Sequence, residues 1–489
     1  MPPVSRRTIL IVGGVGGLTA LVGGAGLFWG DTGSLLPGGA DGSRAIPGAD
    51  DLLQPEMLRS DAGLLRVRLS SAEAAVSIGG REATVLAYNG SLPGPSLSLR
   101  PGDRLEVALE NGLGAMTNLH VHGLHVTPLG SGDNVLLAID PGDTFEYAYD
   151  LPADHPPGVY WYHPHHHGNT AEQVAAGLYG AIIVEDPEPI PVARDRVLII
   201  SDLTLDSAGR VAPASATERM RGREGELVLV NGQLAPILSA RQGERERWRV
   251  VNACVSRFLS LRLDGQGLHL LGMDSGRNTE PEPVDEVRLA PGNRADLLVD
   301  AASGTSILRT TPVDRGSMPG MMGGPAATGA DLAVFEVTGD PVDAPPPVPR
   351  QGTPRDLRDE VVTGRREITL AMGMGGGMGA QGMSFTIDGR EFDANRVDTS
   401  VNLGAVEEWT LVNTSPMNHP FHLHVWPMQV VDYPGTSIDR PIWRDVVDLP
   451  ARSRVRVRIP FEDFTGTTVY HCHILDHEDL GMMGVIDAR

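Results

Sequence analysis

Short apolar or alternating runs, bounded by turn residues, recur along this chain, and long stretches with a 3.6-residue period are scarce. "GAIIVED", "RVLIISDL" and "ADLLVDA" are nearly continuous apolar segments of strand length, and "RVRVRIP" alternates with period two. Gly and Pro, 60 and 38 residues, punctuate the runs, so the pattern predicts an all-β protein.

One pattern occurs three times. "YNGSLPGPSLSLRPGDRLEVALENG", around Asn89 to Asn111, returns as "VNGQLAPILSARQGERERWRVVNA" from Asn231 to Asn252. A third copy, "IDGREFDANRVDTSVNLGAVEEWTLVNT", runs from Asp388 to Asn413. Each has an Asn-Gly or Asp-Gly turn, an extended segment, a second turn with Gly, and a strand ending in Asn. Three such units predict three β-sandwich domains, at 61–190, 191–345 and 355–489. The Gly/Asp/Pro-rich stretch 31–60 reads as a linker outside the fold.

Counting from the final Asn of each unit locates the chemistry. Nine and eleven residues on stand His120 and His122 in the first copy and His422 and His424 in the third, but Leu261 and Leu263 in the second. Six residues on stand Thr117, Phe258 and His419. Later in the unit the first copy has His163-Pro164-His165 and the third has His471-Cys472-His473, so Cys472 takes the place of Pro164. Asn169 stands where the third copy has His477.

On a strand, H-x-H turns both imidazoles to one face and the middle residue to the other. His471-Cys472-His473 therefore feeds two metal centres joined by a few covalent bonds, a short electron path. His419, Cys472 and His477, with Met482 as a weak axial thioether, form the ligand set of a blue electron-transfer copper. Met483 is the neighbouring candidate, less suited by its spacing. On the other face gather His120, His122, His163, His165, His422, His424, His471 and His473, too many for one ion and nearly enough for three. A structural zinc site closes at four ligands and does not fit this number. His125, His155, His166, His167 and His269 are left as surface or supporting groups. Cys254, in the apolar "RVVNACVSRFLSL", reads as a buried, inert thiol.

Charge narrows the options further. The formal charge is −22 and all 40 basic residues are Arg, which excludes Schiff-base and P-loop lysine chemistry. So acidic a chain does not suit nucleic acid, which needs a positive field. Near the start, "VSRRTIL" sets Arg6-Arg7 before an apolar stretch from Ile9 to Phe28, and residues 1–30 resemble a twin-arginine export signal. That predicts a periplasmic, extracellular or envelope-associated protein. No A-x-A cleavage site or lipobox cysteine stands out, so membrane retention through an uncleaved signal stays open.

The motifs "HVHG", "HPHHHG", "HPFHLH" and "HCHILDHEDLGMM" closely resemble the copper signatures of three-domain multicopper oxidases, the laccase-like family, over about residues 60–489. The resemblance implies three cupredoxin-like Greek-key domains, usually in a monomer, and four copper ions. His419, Cys472, His477 and Met482 would hold the type 1 copper, and His120 and His422 the type 2 copper. His122, His163, His165, His424, His471 and His473 would hold the type 3 pair. Members couple one-electron oxidations of a small reductant to the reduction of O₂ to water. A methionine axial ligand implies a lower potential than the Leu or Phe of many fungal laccases. Glu478 matches an acid that serves O₂ reduction in bacterial members; Asp133, in "GSGDN", is a looser match because the loop length differs.

For the reductant, the resemblance implies a phenol or aromatic amine, or Cu(I). Met-rich segments at 318–322 and 372–383 are similar to those of cuprous oxidases, and thioethers suit Cu(I). Those enzymes tend to place Asp and Met just before the type 1 histidine; here Met417 is retained but Ser415 stands in the place of Asp. Some relatives are copper-free cell-division scaffolds. A scaffold, or a copper-binding protein without turnover, is thus the alternative, and the full set of ligands speaks against the scaffold.

Overall fold

The structure is a computed structural model and describes residues 50–316, 328–374 and 383–489. The export-signal expectation falls on residues 1–30 and lies outside the described residues, as do Met318, Met321, Met322 and Met378 of the Met-rich segments. Among the described residues no helix is long and apolar enough to cross a membrane.

Among the described residues six sheets, two for each sequence repeat, build the fold. The strand ending in the repeat's Asn lies inside the first sheet of each pair. Arg104–Asn111 runs between Leu64–Ile78 and Thr144–Asp150, Arg245–Asn252 between Arg194–Leu203 and Arg294–Asp300, and Ala405–Asn413 between Gly364–Met374 and Arg454–Phe461. In all three cases it pairs parallel on one side and antiparallel on the other. Alternate residues of these strands enter three apolar cores, centred on Leu105, Val107 and Leu109, on Trp248 and Val250, and on Trp409 and Leu411.

Two asparagine devices explain the repeat. At the opening turns Asn89, Asn231 and Asp388 have φ of 55°, 51° and 50°, each followed by a Gly at 72–76°. Two consecutive positive-φ residues suit the twist of a hairpin, which is why the pair reads Asn-Gly or Asp-Gly. Their side chains accept from Ser70, Ile199 and Thr369 N–H, tying each turn to the neighbouring strand. At the far end Asn111, Asn252 and Asn413 accept from the N–H two residues on and donate to Ala115, Arg257 and Met417 carbonyls. That turn leads into the next strand within six to nine residues: His120–His122, Leu259–Leu263 and His419–Leu423. In the second copy Leu261 and Leu263 fill the core where the others carry histidine.

Residues 50–60 depart from the linker expectation. Met57–Arg59 forms a strand parallel to Ser96–Leu99, and Leu52 N–H donates to Ile237 O at 2.8 Å. Leu52 and Leu58 pack against two different cores, and this apolar anchorage brings the segment into the fold despite its turn-rich composition.

Candidate metal centre

The first and third repeats present their histidines through the same strand pairing. His120 is opposite His163 in the antiparallel pair of His120–His122 and Gly158–His163, and His422 is opposite His471 in the pair of His419–Leu423 and Gly466–Cys472. The two arrays meet face to face. His165 Nε2 and His424 Nε2 lie 3.0 and 3.1 Å from His471 Nε2, and His120 Nε2 lies 3.4 Å from His422 Nε2. His163 Nε2 is 3.5 Å from His122 Nδ1, and the His473 ring centroid lies 4.9 Å from that of His122. Among the described residues His165, His424 and His471 bring their donor atoms together as one trio, while His120 is shared between a group with His422 and His424 and a group with His122 and His163. All are buried.

Burial first, and in all but His422 crowding by other imidazoles, holds these rings below the ordinary histidine pKa; His422 falls to about 4 through burial and Arg294, and His163 to about 3. Neutral rings keep a lone pair free, the form that binds metal. Outward nitrogens are steadied from behind: His163 Nδ1 by Pro164 O at 2.8 Å, His471 Nδ1 by Cys472 O at 3.0 Å and His422 Nδ1 by Asp445 O at 2.8 Å. Both nitrogens of His473 are buried with no hydrogen-bond partner. Two orphaned polar atoms are costly unless something else binds them, and a metal ion fits that need.

Two carboxylates reach the cluster. Asp133 lies 2.9 and 3.0 Å from His120 Nδ1 and accepts from Val121 N–H, so the loop whose length differs still delivers its acid to the back of His120. Glu478 Oε2 is 3.2 Å from His471 Nδ1 and Oε1 is 3.7 Å from His165 Nδ1. Burial raises Asp133 to about 7 and pushes Glu478 well above the usual carboxylate range, so both hold protons easily.

Cys472 faces the other way, into the core of the third repeat. Its Sγ lies 3.3 Å from His419 Nδ1 and 4.0 Å from His477 Nδ1, and the two Nδ1 atoms are 3.4 Å apart. Ile474 N–H points at the sulfur from 3.4 Å. Burial drives the thiol pKa far up, so ionising it takes a cation at the site. The short helix Leu475–Asp479 turns His477 back toward Cys472, and the loop closes by Met482 N–H to His477 O at 2.9 Å and Cys472 N–H to Met482 O at 3.0 Å. Met482 shares the Cys472 core, whereas Met483 packs with Val135 and Val469 on the opposite side of the strand.

The remaining groups stand apart. His125 and His155 interlock, His125 N–H donating to His155 Nε2, and His166, His167 and His269 are only partly buried. Cys254 is a buried, free thiol in the middle core. Asn169 stands at a helix N-cap position without a side-chain capping bond and donates to Met116 O. Ser415 is turned inward onto Asn413 and Met417, presenting no ligand. Three contacts escaped the sequence reading: Asp445 with Arg294 behind His122, and Met220 over His477. A charged residue in an apolar strand, as in "NRADLLVD" and "IWRDVVDLP", was the available signal for the first two.

Comparison with known proteins matches this geometry. Multicopper oxidase family profiles match residues 71–189, 194–309 and 367–489. Multicopper oxidase mco of Staphylococcus aureus is 30% identical, covering 83% of this chain and 84% of that one. The laccase of Bacillus subtilis is 26% identical over 82% and 89% of the two chains. Among solved structures, a multicopper oxidase from Campylobacter jejuni described as a metallo-oxidase superposes with a TM-score of 0.79 at 31% identity, covering 90% of this chain and 96% of that one. With three cupredoxin-like domains and histidine clusters suited to copper, the chain belongs to the multicopper oxidase family and is an oxidoreductase.

Proposed function

We propose that the protein couples one-electron oxidation of a small reductant to the four-electron reduction of O₂ to water, using four copper ions. The observation that carries this reading is the position of Cys472. Its sulfur sits with His419 and His477, while the adjacent His471 joins the histidine cluster through contacts of 3.0 and 3.1 Å. The chain itself thereby links an electron-entry site to an O₂ site by a few bonds.

His419, Cys472, His477 and Met482 would hold the type 1 ion, and His120 and His422 the type 2 ion. The trios His165, His424, His471 and His122, His163, His473 would each hold one type 3 ion. Copper supplies the one-electron chemistry and the O₂ reduction when bound. The protein orients the ligands and supplies protons: Asp133 fixes the His120 ring, and Glu478, dry and beside His471 and His165, holds a proton where O₂ is reduced. The arginine pair near the start and the apolar stretch after it support export, with or without release from the membrane, and the protein acts as a monomer.

For the reductant, the covered edge of His477 favours a metal ion, Cu(I) first, because an aromatic ring cannot stack directly on that imidazole. The inward Ser415, which offers no carboxylate for a cuprous site, favours the second reading, a phenol or aromatic amine. O₂ uptake by the copper-loaded protein with Cu(I) and with a methoxyphenol separates them. Fast uptake with Cu(I) alone supports the metal reading, the reverse supports the phenol, and silence with both overturns the oxidase in favour of a scaffold or copper store.

A further inference from the structure

We propose that Arg294, from the repeat without histidine pairs, and Asp445 act together as positioning residues that set which nitrogen of His122 faces the histidine cluster. The inference rests on reading that cluster as a copper site.

Seven of the eight cluster rings have contacts at both nitrogens, and His122 is inverted among them. His120, His163, His165, His422, His424 and His471 turn Nε2 toward another cluster imidazole and Nδ1 toward a carbonyl or carboxylate. His122 turns Nδ1 toward His163 and Nε2 toward Asp445 Oδ1, at 3.1 Å. A ring nitrogen that donates to a carboxylate carries the proton, which leaves the lone pair on the other nitrogen. Asp445 thus assigns the ligand atom of His122 as Nδ1. The same residue steadies a second ring, since its backbone carbonyl accepts from His422 Nδ1.

Asp445 is itself fixed by a fork. Arg294 Nη1 and Nη2 grip Oδ1 and Oδ2 at 2.5 and 2.6 Å, and Ser275 Oγ donates to Oδ2 at 3.1 Å. Arg294 is fully buried, and it donates through Nε to Val159 O in the first repeat and through Nη1 to Gly292 O in its own. A planar fork of this kind holds a carboxylate in one orientation, which a lysine ammonium does not. The backbone leaves room for it. A Cβ on Gly123, the residue after His122, would lie 2.5 Å from Arg294 Nη2 and 2.7 Å from Asp445 Oδ2, and one on Gly292 would lie 2.8 Å from His473 Nε2. The glycine of "HVHG" therefore makes space for the fork, and the middle repeat serves the cluster from behind without contributing a ligand.

The test compares copper-loaded wild type with Arg294→Lys and Asp445→Asn. Asp296→Asn, which breaks another buried Arg–Asp group whose partners are Arg247 and Arg277 rather than a cluster histidine, controls for general destabilisation. Copper retained against a graded chelator, the electron paramagnetic resonance spectrum and the blue absorption are read on the resting protein. In both positioning variants the blue signal per chain is expected to stay, while one copper is retained about 10- to 100-fold less tightly or the magnetically silent pair becomes visible. The control is expected to lose thermal stability alone. Unchanged retention and spectra in both variants, with only the melting temperature lowered, would make Arg294 and Asp445 a plain structural clamp and overturn the inference. Absence of any copper in the wild type would instead overturn the cluster reading beneath it. Should Asp445→Asn fail to accumulate, Arg294→Lys, which keeps the buried positive charge, decides the matter.

Discussion

His477 Nε2 lies 3.2 Å from the carbonyl oxygen of Met220, and the ring has no exposed surface. The helix Ala216–Arg221 that carries Met220 is stopped at its start by a Ser215–Glu218 capping box. Beyond it Arg223 grips Asp476, and Arg315 donates to Gly222 O at 3.0 Å. This helix covers His477, the histidine proposed to admit electrons. Replacing Ala216–Arg221 by Gly-Gly-Ser is expected to raise kcat/KM for a bulky methoxyphenol about tenfold, a barrier change of ~1.4 kcal/mol. Steady-state kinetics check it, and an unchanged value would place phenol oxidation elsewhere.

Met482 and Met483 separate by the core each enters. Met482→Leu is expected to raise the type 1 reduction potential, because the weak thioether ligand is lost while the volume is kept. Met483→Leu, beside Val135 and Val469, is expected to leave the potential where it was. A redox titration followed at the blue band reads both, and the opposite pattern would make Met483 the axial ligand.

Glu478→Gln keeps the shape beside His471 and His165 but removes the exchangeable acid. O₂ reduction is expected to slow by about 10²- to 10⁴-fold. Anaerobic reduction of the type 1 site by the same reductant should keep its rate. Equal slowing of both steps would show that Glu478 only supports the fold.

Asp296 tests stability at a buried ion pair with Arg247 and Arg277. Burial alone would raise its pKa, but Arg247 at 2.5 Å and Arg277 at 2.5 Å outweigh that and hold it far below the ordinary 3.8. Its stabilisation is therefore complete above about pH 4 and is lost as the pH falls further. Asp296→Asn is expected to cost about 3–5 kcal/mol at pH 7, because the arginine charges stay buried, and to flatten the acid-side loss of stability. Denaturant melts between pH 2 and 7 check both. An acid slope equal to that of the wild type would assign acid unfolding to other carboxylates.

The repeat was legible because its chemistry is local. Asn-Gly turns need two positive φ values, and Asn111, Asn252 and Asn413 bond within four or five residues, so the pattern they mark survives in the sequence. The division of His471-Cys472-His473 between two faces follows from strand periodicity alone. Residues 50–60 read wrongly as linker for the complementary reason: turn-rich composition says nothing about distant apolar surfaces, and Leu52 and Leu58 find theirs far along the chain.

By itself, then, the sequence determined three sandwiches, two H-x-H pairs in each of the outer ones and a cysteine aimed at a separate site, because turn chemistry and period-two alternation act over a few residues. Only the tertiary structure brought the histidines of the two outer repeats face to face. It alone joined Asp445 of the third repeat to Arg294 of the second behind His122 of the first, and set Met220 over His477. Those contacts join positions 151 to 323 residues apart, where no local periodicity operates and the packing of whole sheets chooses the partner.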